Sequence, residues 1–281
     1  SPSLSRSLSL SLSLTHTHTH TLTDTHRHTR TSANMVRLPT RAIPLVALSL
    51  VLLMSYPWEP ALADTAYVVI NNAGNEAGGQ KFEQVVGSSG AETILASASA
   101  FIQETFGYAG NPSYPQKQVD KVTLYVDDVP SGGAVAIAQA DSRGAPNAHE
   151  IHLSQSYVGT YSEGDVATEV KGVLYHEMTH VWQWNGQGTA DGGLIEGIAD
   201  YVRLTAGLAP PHWVQPGEGD RWNQGYDVTA YFLQYCDSLK SGFVAALNAK
   251  LASGWDVAYF QELLGQSVDQ LWASYKQKYG M

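Results

Sequence analysis

The chain has 281 residues, a formal net charge of −10 from 26 acidic against 16 Lys and Arg residues, and one cysteine. An acidic balance excludes the charge attraction that draws basic chains to nucleic acid, to anionic membrane surfaces and to acidic substrates. With Cys236 alone, no intramolecular disulfide can form, so stability rests on a hydrophobic core, for which a 43% apolar composition suffices.

Residues 1–34 alternate Ser with Leu and then Thr with His, and hold almost nothing that builds a core. A CT or CA dinucleotide repeat read in frame gives these alternations, so this stretch is expected to be translated leader sequence, with Met35 as the start. The rival use of His16, His18, His20, His26 and His28 as a metal tract lacks anything that would fix their geometry. From Met35, the charged Arg37 and Arg41, the apolar run Ile43 to Met54 and the small-x-small Ala61-Leu62-Ala63 read as a secretory signal over residues 35–63. That apolar run is shorter than the ~20 residues a membrane span needs. The expectation is an exported, extracellular chain, in the apoplast if the source is a plant, with no membrane partner after signal removal. Its mature domain spans residues 64–281 with a formal charge of −13.

Within that domain, Tyr67 to Asn71 and Val122 to Val126 are rich in β-branched and aromatic residues and read as strands. Ala91 to Phe106 reads as a helix with Ile94, Leu95, Ala98, Ile102 and Phe106 on one face. Ala134 to Ala138 and Glu150 to Leu153 are short strands. A helix from Asp165, its expected N-cap, to Trp184 carries the stripe Val170, Leu174, Met178 and Val181. Gly186, Gly188, Gly192 and Gly193 mark a turn, a second helix runs from Leu194 to Ala206, and further helices follow from Val228 onward. The order predicts an α+β fold: a sheet-bearing lobe, then a helical lobe.

The longer helix carries His176-Glu177-Met178-Thr179-His180. Residues four apart share a helix face, so both imidazoles can meet one ion at about 2.0–2.1 Å. Glu177 is turned by about 100° and lies beside that ion, where a carboxylate can deprotonate a water activated by Zn2+ and return the proton to a leaving amine. Catalytic zinc takes a third protein ligand. Gln183 and Gly186 stand where the metzincin pattern needs Gly and His, which excludes that class. Glu196 and Asp200, four apart on the second helix, supply the carboxylates instead. Glu196 is assigned as ligand and Asp200 as hydrogen-bond acceptor for a ligand histidine, with the exchanged roles still open.

Three blocks together carry a resemblance: Leu174 to Asn185, Gly192 to Leu204, and Gly219-Asp220-Arg221-Trp222 through Gly225 to Ala230. In order and spacing they resemble the plant basic secretory protein family, peptidase-like proteins of plants and bacteria of zincin type, many linked to pathogen defence. The resemblance runs from Ala66 to Gly280, although this chain is acidic. It implies a zincin-like, gluzincin-type domain with an antiparallel edge strand along a peptide cleft, for which Glu150 to Ser154 is the expected strand. Similarity to gluzincins also offers Tyr226, at the head of the helix after the long loop, as a donor to the oxyanion of a tetrahedral intermediate. His149 and His152 face opposite sides of a strand and do not share an ion. Trp182, Trp184, Trp213 and Trp222 are expected to pack under the loop.

The implied activity is zinc-dependent hydrolysis of a peptide or protein substrate by a monomer. Two alternatives use the same residues: a secreted defence or interaction protein with a structural or idle zinc site, and a hydrolase of non-peptide substrates. Glu177 weighs against the first, because a structural zinc site needs no general base.

Overall fold

The computed structural model describes residues 64–129 and 134–281, so the expected leader and signal segment lie outside the described residues. Strands β1 (Ala66–Asn71), β2 (Lys121–Asp127), β3 (Ala136–Ala140) and β4 (Ala148–Ser154) form one mixed sheet in the order β1-β2-β4-β3. The first, second and fourth run parallel, and β3 is antiparallel to β4. Alternation sets the faces. Val122, Leu124, Val126, Ile151 and Leu153 are fully buried on the helix side, while Tyr125 and His152 stack at 5.0 Å on the other.

The helices are α1 (Ala77–Val85), α2 (Gly87–Thr105), α3 (Gln155–Thr160), α4 (Glu163–Trp182), α5 (Gly192–Thr205), α6 (Tyr226–Leu239), α7 (Phe243–Leu251), α8 (Tyr259–Leu264) and α9 (Val268–Lys278), with a 3-10 turn at Gly186–Gly188. Helix α4 packs against α2, α5, β3 and β4. That central place explains why its apolar stripe, Val170, Leu174, Met178 and Val181, is buried. The remaining helices gather around Phe232, Phe243, Phe260 and Tyr275, and Trp222 caps this aromatic cluster. Among the described residues no single helix is long and apolar enough to cross a membrane.

Two expectations are corrected. The Glu150 to Ser154 segment is an interior strand, flanked by β2 and β3, and the antiparallel edge is Ala136–Ala140. The physical reason is burial: Ile151 and Leu153 need cover that an edge cannot give, whereas the alanine-rich β3 is only partly covered. Asp165 is not the N-cap of α4. Ser162 holds that position with φ −68° and ψ 155°, and donates its Oγ proton to Asp165 Oδ2 at 2.7 Å. Asp165 sits instead in the first turn, where a negative charge complements the helix dipole.

Helix α5 is brought close to α4 and α6 by small residues. An alanine Cβ at Gly197 would stand 2.2 Å from Thr229 Cγ2. Thr229 has little freedom to yield, since its Oγ accepts from the Gly225 amide and donates to the Trp222 carbonyl. Helix propensity alone favours Ala over Gly by about 1 kcal/mol. The clash reverses that sign: Gly197→Ala is expected to lower the unfolding free energy by about 1–3 kcal/mol. Urea denaturation reads the sign directly, and a stabilised variant would show that the two helices have room to spare.

Candidate metal centre

On α4, Glu169, Val173, His176 and His180 fall at i, i+4, i+7 and i+11, and on α5, Glu196, Asp200 and Arg203 fall at i, i+4 and i+7. These spacings each line one helix face. The glycine-rich turn folds α5 back, capped by Asp191, whose Oδ1 accepts from the Gly193 and Leu194 amides. Opposed in this way, the faces pair in rungs. Arg203 Nη2 donates to Glu169 Oε2 at 2.9 Å, His176 Nδ1 lies 2.6 Å from Asp200 Oδ1, and His176 Nε2 lies 3.1 Å from Glu196 Oε2.

The second histidine completes the cluster. His180 Nε2 is 3.1 Å from His176 Nε2 and 3.6 Å from Glu196 Oε2. Four-coordinate zinc with bonds of about 2.0–2.1 Å holds its ligand atoms about 3.3–3.4 Å apart. The three measured separations bracket that distance, so the donor set fits the ion. It is the Glu196 carboxylate that lies with both Nε2 atoms; Asp200 lies on the Nδ1 side of His176. Asp200 accepts from a proton on Nδ1, so it is Nε2 that His176 turns toward Glu196 and His180.

Charge in the cluster favours a cation. Burial opposes a charged His176, yet Asp200, Glu196 and the charge of Glu177 raise its pKa to about 10. The field that draws a proton there draws a metal ion as well. Glu196 is also disfavoured as an anion by burial, but His176 and His180 hold it well below the ordinary carboxylate range. Glu177 goes the other way. Burial, reinforced by Glu196, raises its pKa against the pull of both histidines and a backbone hydrogen bond from Ala138.

A cleft of about 850 Å³ opens over these residues, lined also by Ala136, Ile137 and Ala138 of the edge strand and by Tyr157, Trp213 and Tyr226. The Tyr226 ring lies parallel to His176, 6.1 Å between centroids. Its backbone φ is 48°, a left-handed value that a bulky residue rarely takes. Burial, then Glu196, Asp200 and Glu177, raise the phenol pKa and keep it a neutral donor.

The sequence-predicted residues His176, Glu177, His180, Glu196, Asp200 and Tyr226 thus all line one cleft. Gln183, marked in the sequence only as a departure from the metzincin pattern, places its Nε2 2.9 Å from His180 Nδ1, and the buried Glu169–Arg203 pair of the same cleft was not among the predicted residues. The helical spacing of Glu169 to His176 and of Asp200 to Arg203 was the available signal.

The family profile described as "Peptidase of plants and bacteria" matches residues 64–275. A "Basic secretory protease" of Boswellia serrata is 44% identical over 59 residues, covering 21% of this chain and 67% of that protein. No solved structure matches. With the profile matching residues 64–275 and the metal-type cluster lying within that span, the chain belongs to this family of peptidases of plants and bacteria.

Proposed function

We propose that this chain is an exported, zinc-dependent peptidase of zincin type that works as a monomer on extended peptide or protein substrates, without nucleic acid or membrane partners. The observation that carries this is the convergence of His176 Nε2, His180 Nε2 and Glu196 Oε2 within 4.8 Å of one another. Export is supported by the signal-like segment over residues 35–63 and by the name of the Boswellia relative, a secretory protease. A defence role is the family expectation carried forward.

His176, His180 and Glu196 would hold the ion. When bound, zinc lowers the pKa of its water to about 7 and polarises a carbonyl oxygen. The chain's own groups do the rest. Glu177, not among the three ligand atoms and with its pKa raised by burial, takes the proton of the attacking water on its carboxylate and passes it to the leaving amine. Asp200 accepts from His176 Nδ1–H and fixes the ring. Tyr226, a neutral phenol over the cleft, donates to the oxyanion that develops at the attacked carbonyl. The edge strand β3 gives an extended peptide a backbone to pair with, which aligns the scissile bond over Glu177.

Three measurements test these roles. On a mixed peptide library, the purified protein should cleave, lose activity to a chelator and regain it with zinc. Glu177→Gln should still bind one zinc while kcat falls by about 100- to 10,000-fold. Equal cleavage by that variant would sink the mechanism, and one bound zinc with no cleavage by the native protein would favour the binding-protein alternative. Tyr226→Phe should lower kcat by about 100-fold with KM nearly unchanged; an effect confined to KM would make the tyrosine a substrate-packing residue.

A further inference from the structure

Gln183 ends the helix that carries both histidines. As the C-cap of α4 it leaves helical geometry, with φ −76° and ψ 150°, and its buried side chain reaches both His180 and α5. The amide Nε2 lies 2.9 Å from His180 Nδ1 and 3.3 Å from the Ile195 carbonyl oxygen. Its Oε1 is the one buried side-chain polar atom without a partner among the described residues. Buried acceptors are seldom left unpaired, so this one calls for a donor.

The nearest chemistry supplies it. An amide nitrogen opposite Nδ1 can donate only to a ring whose proton sits on Nε2. Such a ring has no Nε2 lone pair to offer the cluster formed with His176 and Glu196. A half-turn of the amide about its last side-chain bond exchanges oxygen and nitrogen along the same path. The oxygen then faces Nδ1, gains the donor it lacks, and stabilises the tautomer that frees Nε2. The exchange gives up the 3.3 Å donation to the Ile195 carbonyl, sets the amide oxygen near that carbonyl oxygen, and moves the Nε2 donor to the buried position that Oε1 held.

We propose that Gln183 is the positioning residue of His180: its carbonyl oxygen accepts from Nδ1–H and turns the Nε2 lone pair to the metal, as Asp200 does for His176. The proposal rests on the zinc reading above. The two histidines are then oriented by unequal acceptors, a carboxylate for one and a neutral amide for the other. A charged acceptor binds more strongly, so losing Gln183 should weaken the ion less than losing Asp200 does.

Zinc affinity, measured by competition with a chromophoric chelator on the full chain, reads this without any assay of activity. Gln183→Met keeps the length and removes the acceptor, and is expected to bind zinc about 10-fold more weakly. Gln183→Glu offers an oxygen in either orientation and is expected to bind at least as tightly as the native protein. Thermal unfolding in excess chelator separates loss of fold from loss of metal. If the methionine variant does not fold, the glutamate variant still decides, because weaker binding than the native protein contradicts an acceptor role. Zinc affinity of Gln183→Met within twofold of native, or equal losses in both variants, overturns the proposal alone. A native chain that takes up no zinc overturns both the proposal and the zinc reading beneath it.

Discussion

The antiparallel register between α4 and α5 is the constraint on which the site depends. It sets His176 opposite Asp200 and Glu196, and seven residues earlier on α4 it sets Glu169 opposite Arg203. A slip by one turn would strand both members of the Glu169–Arg203 pair in the interior. Breaking a buried pair typically costs about 3–5 kcal/mol, a large part of the stability of a domain. The pair is further fixed by Tyr157, which donates to Glu169 Oε1, and by the Leu208 carbonyl, which accepts from Arg203 Nε. Gly172 admits the guanidinium, because a Cβ there would stand 2.7 Å from Arg203 Nε. An ion pair that adds little net stability can in this way select one register, and that register builds the three-atom cluster.

Three carboxylates sit within reach of two imidazoles, and their environments divide the work. Glu196 is held ionised by both histidines and is suited to a cation. Asp200 is spent on a 2.6 Å contact to His176 Nδ1. Glu177 is left with its proton affinity raised by burial, the property a base needs at neutral pH. The same negative field bears on the cleft as a whole. Arg203 adds little countercharge because Glu169 neutralises it, and Lys117, whose pKa burial lowers to about 8, caps the end of α4 through the Val181 carbonyl. Charge in the cleft therefore favours a cation over acidic peptide side chains.

Much of this was legible in the chain itself. The period-3.6 stripe of Val170, Leu174, Met178 and Val181 placed α4, and the four-residue spacings of His176 with His180 and Glu196 with Asp200 placed their side chains on shared faces. Strand order was harder, because it depends on pairings far apart in sequence. Ala136–Ala140 has little apolar alternation to mark it as the edge, while the stronger pattern of Ile151 and Leu153 drew attention to an interior strand. Helix α1 was missed because Gly78 and Gly79 are poor helix formers. They are there for close approach: a Cβ at Gly78 would collide with the Gln155 carbonyl, and one at Gly79 with that of Ala73. Gln183 was read only as a departure from another class, since a lone glutamine carries no pattern until the fold sets it against His180.

Tyr226 shows where such non-local information is stored. Tyr226 is 56% exposed as a residue, so packing supplies little to offset a left-handed backbone, a strain of about 1–3 kcal/mol. The conformation is held from outside the residue. The Gly225 amide donates to Thr229 Oγ1, Asn223 Nδ2 donates to Asp191 Oδ2, and Gly193 lies so close to the Asn223 carbonyl that a Cβ would stand 2.0 Å from it. Asp191 and Gly193 are also the cap and first turn of α5. The loop that presents Tyr226 is thus fastened to the start of the helix that presents Glu196 and Asp200. Strain in Tyr226 and the placement of the Glu196 carboxylate are two results of one junction, which makes the phenol's position over His176 a consequence of the same register that gathers the metal-type cluster.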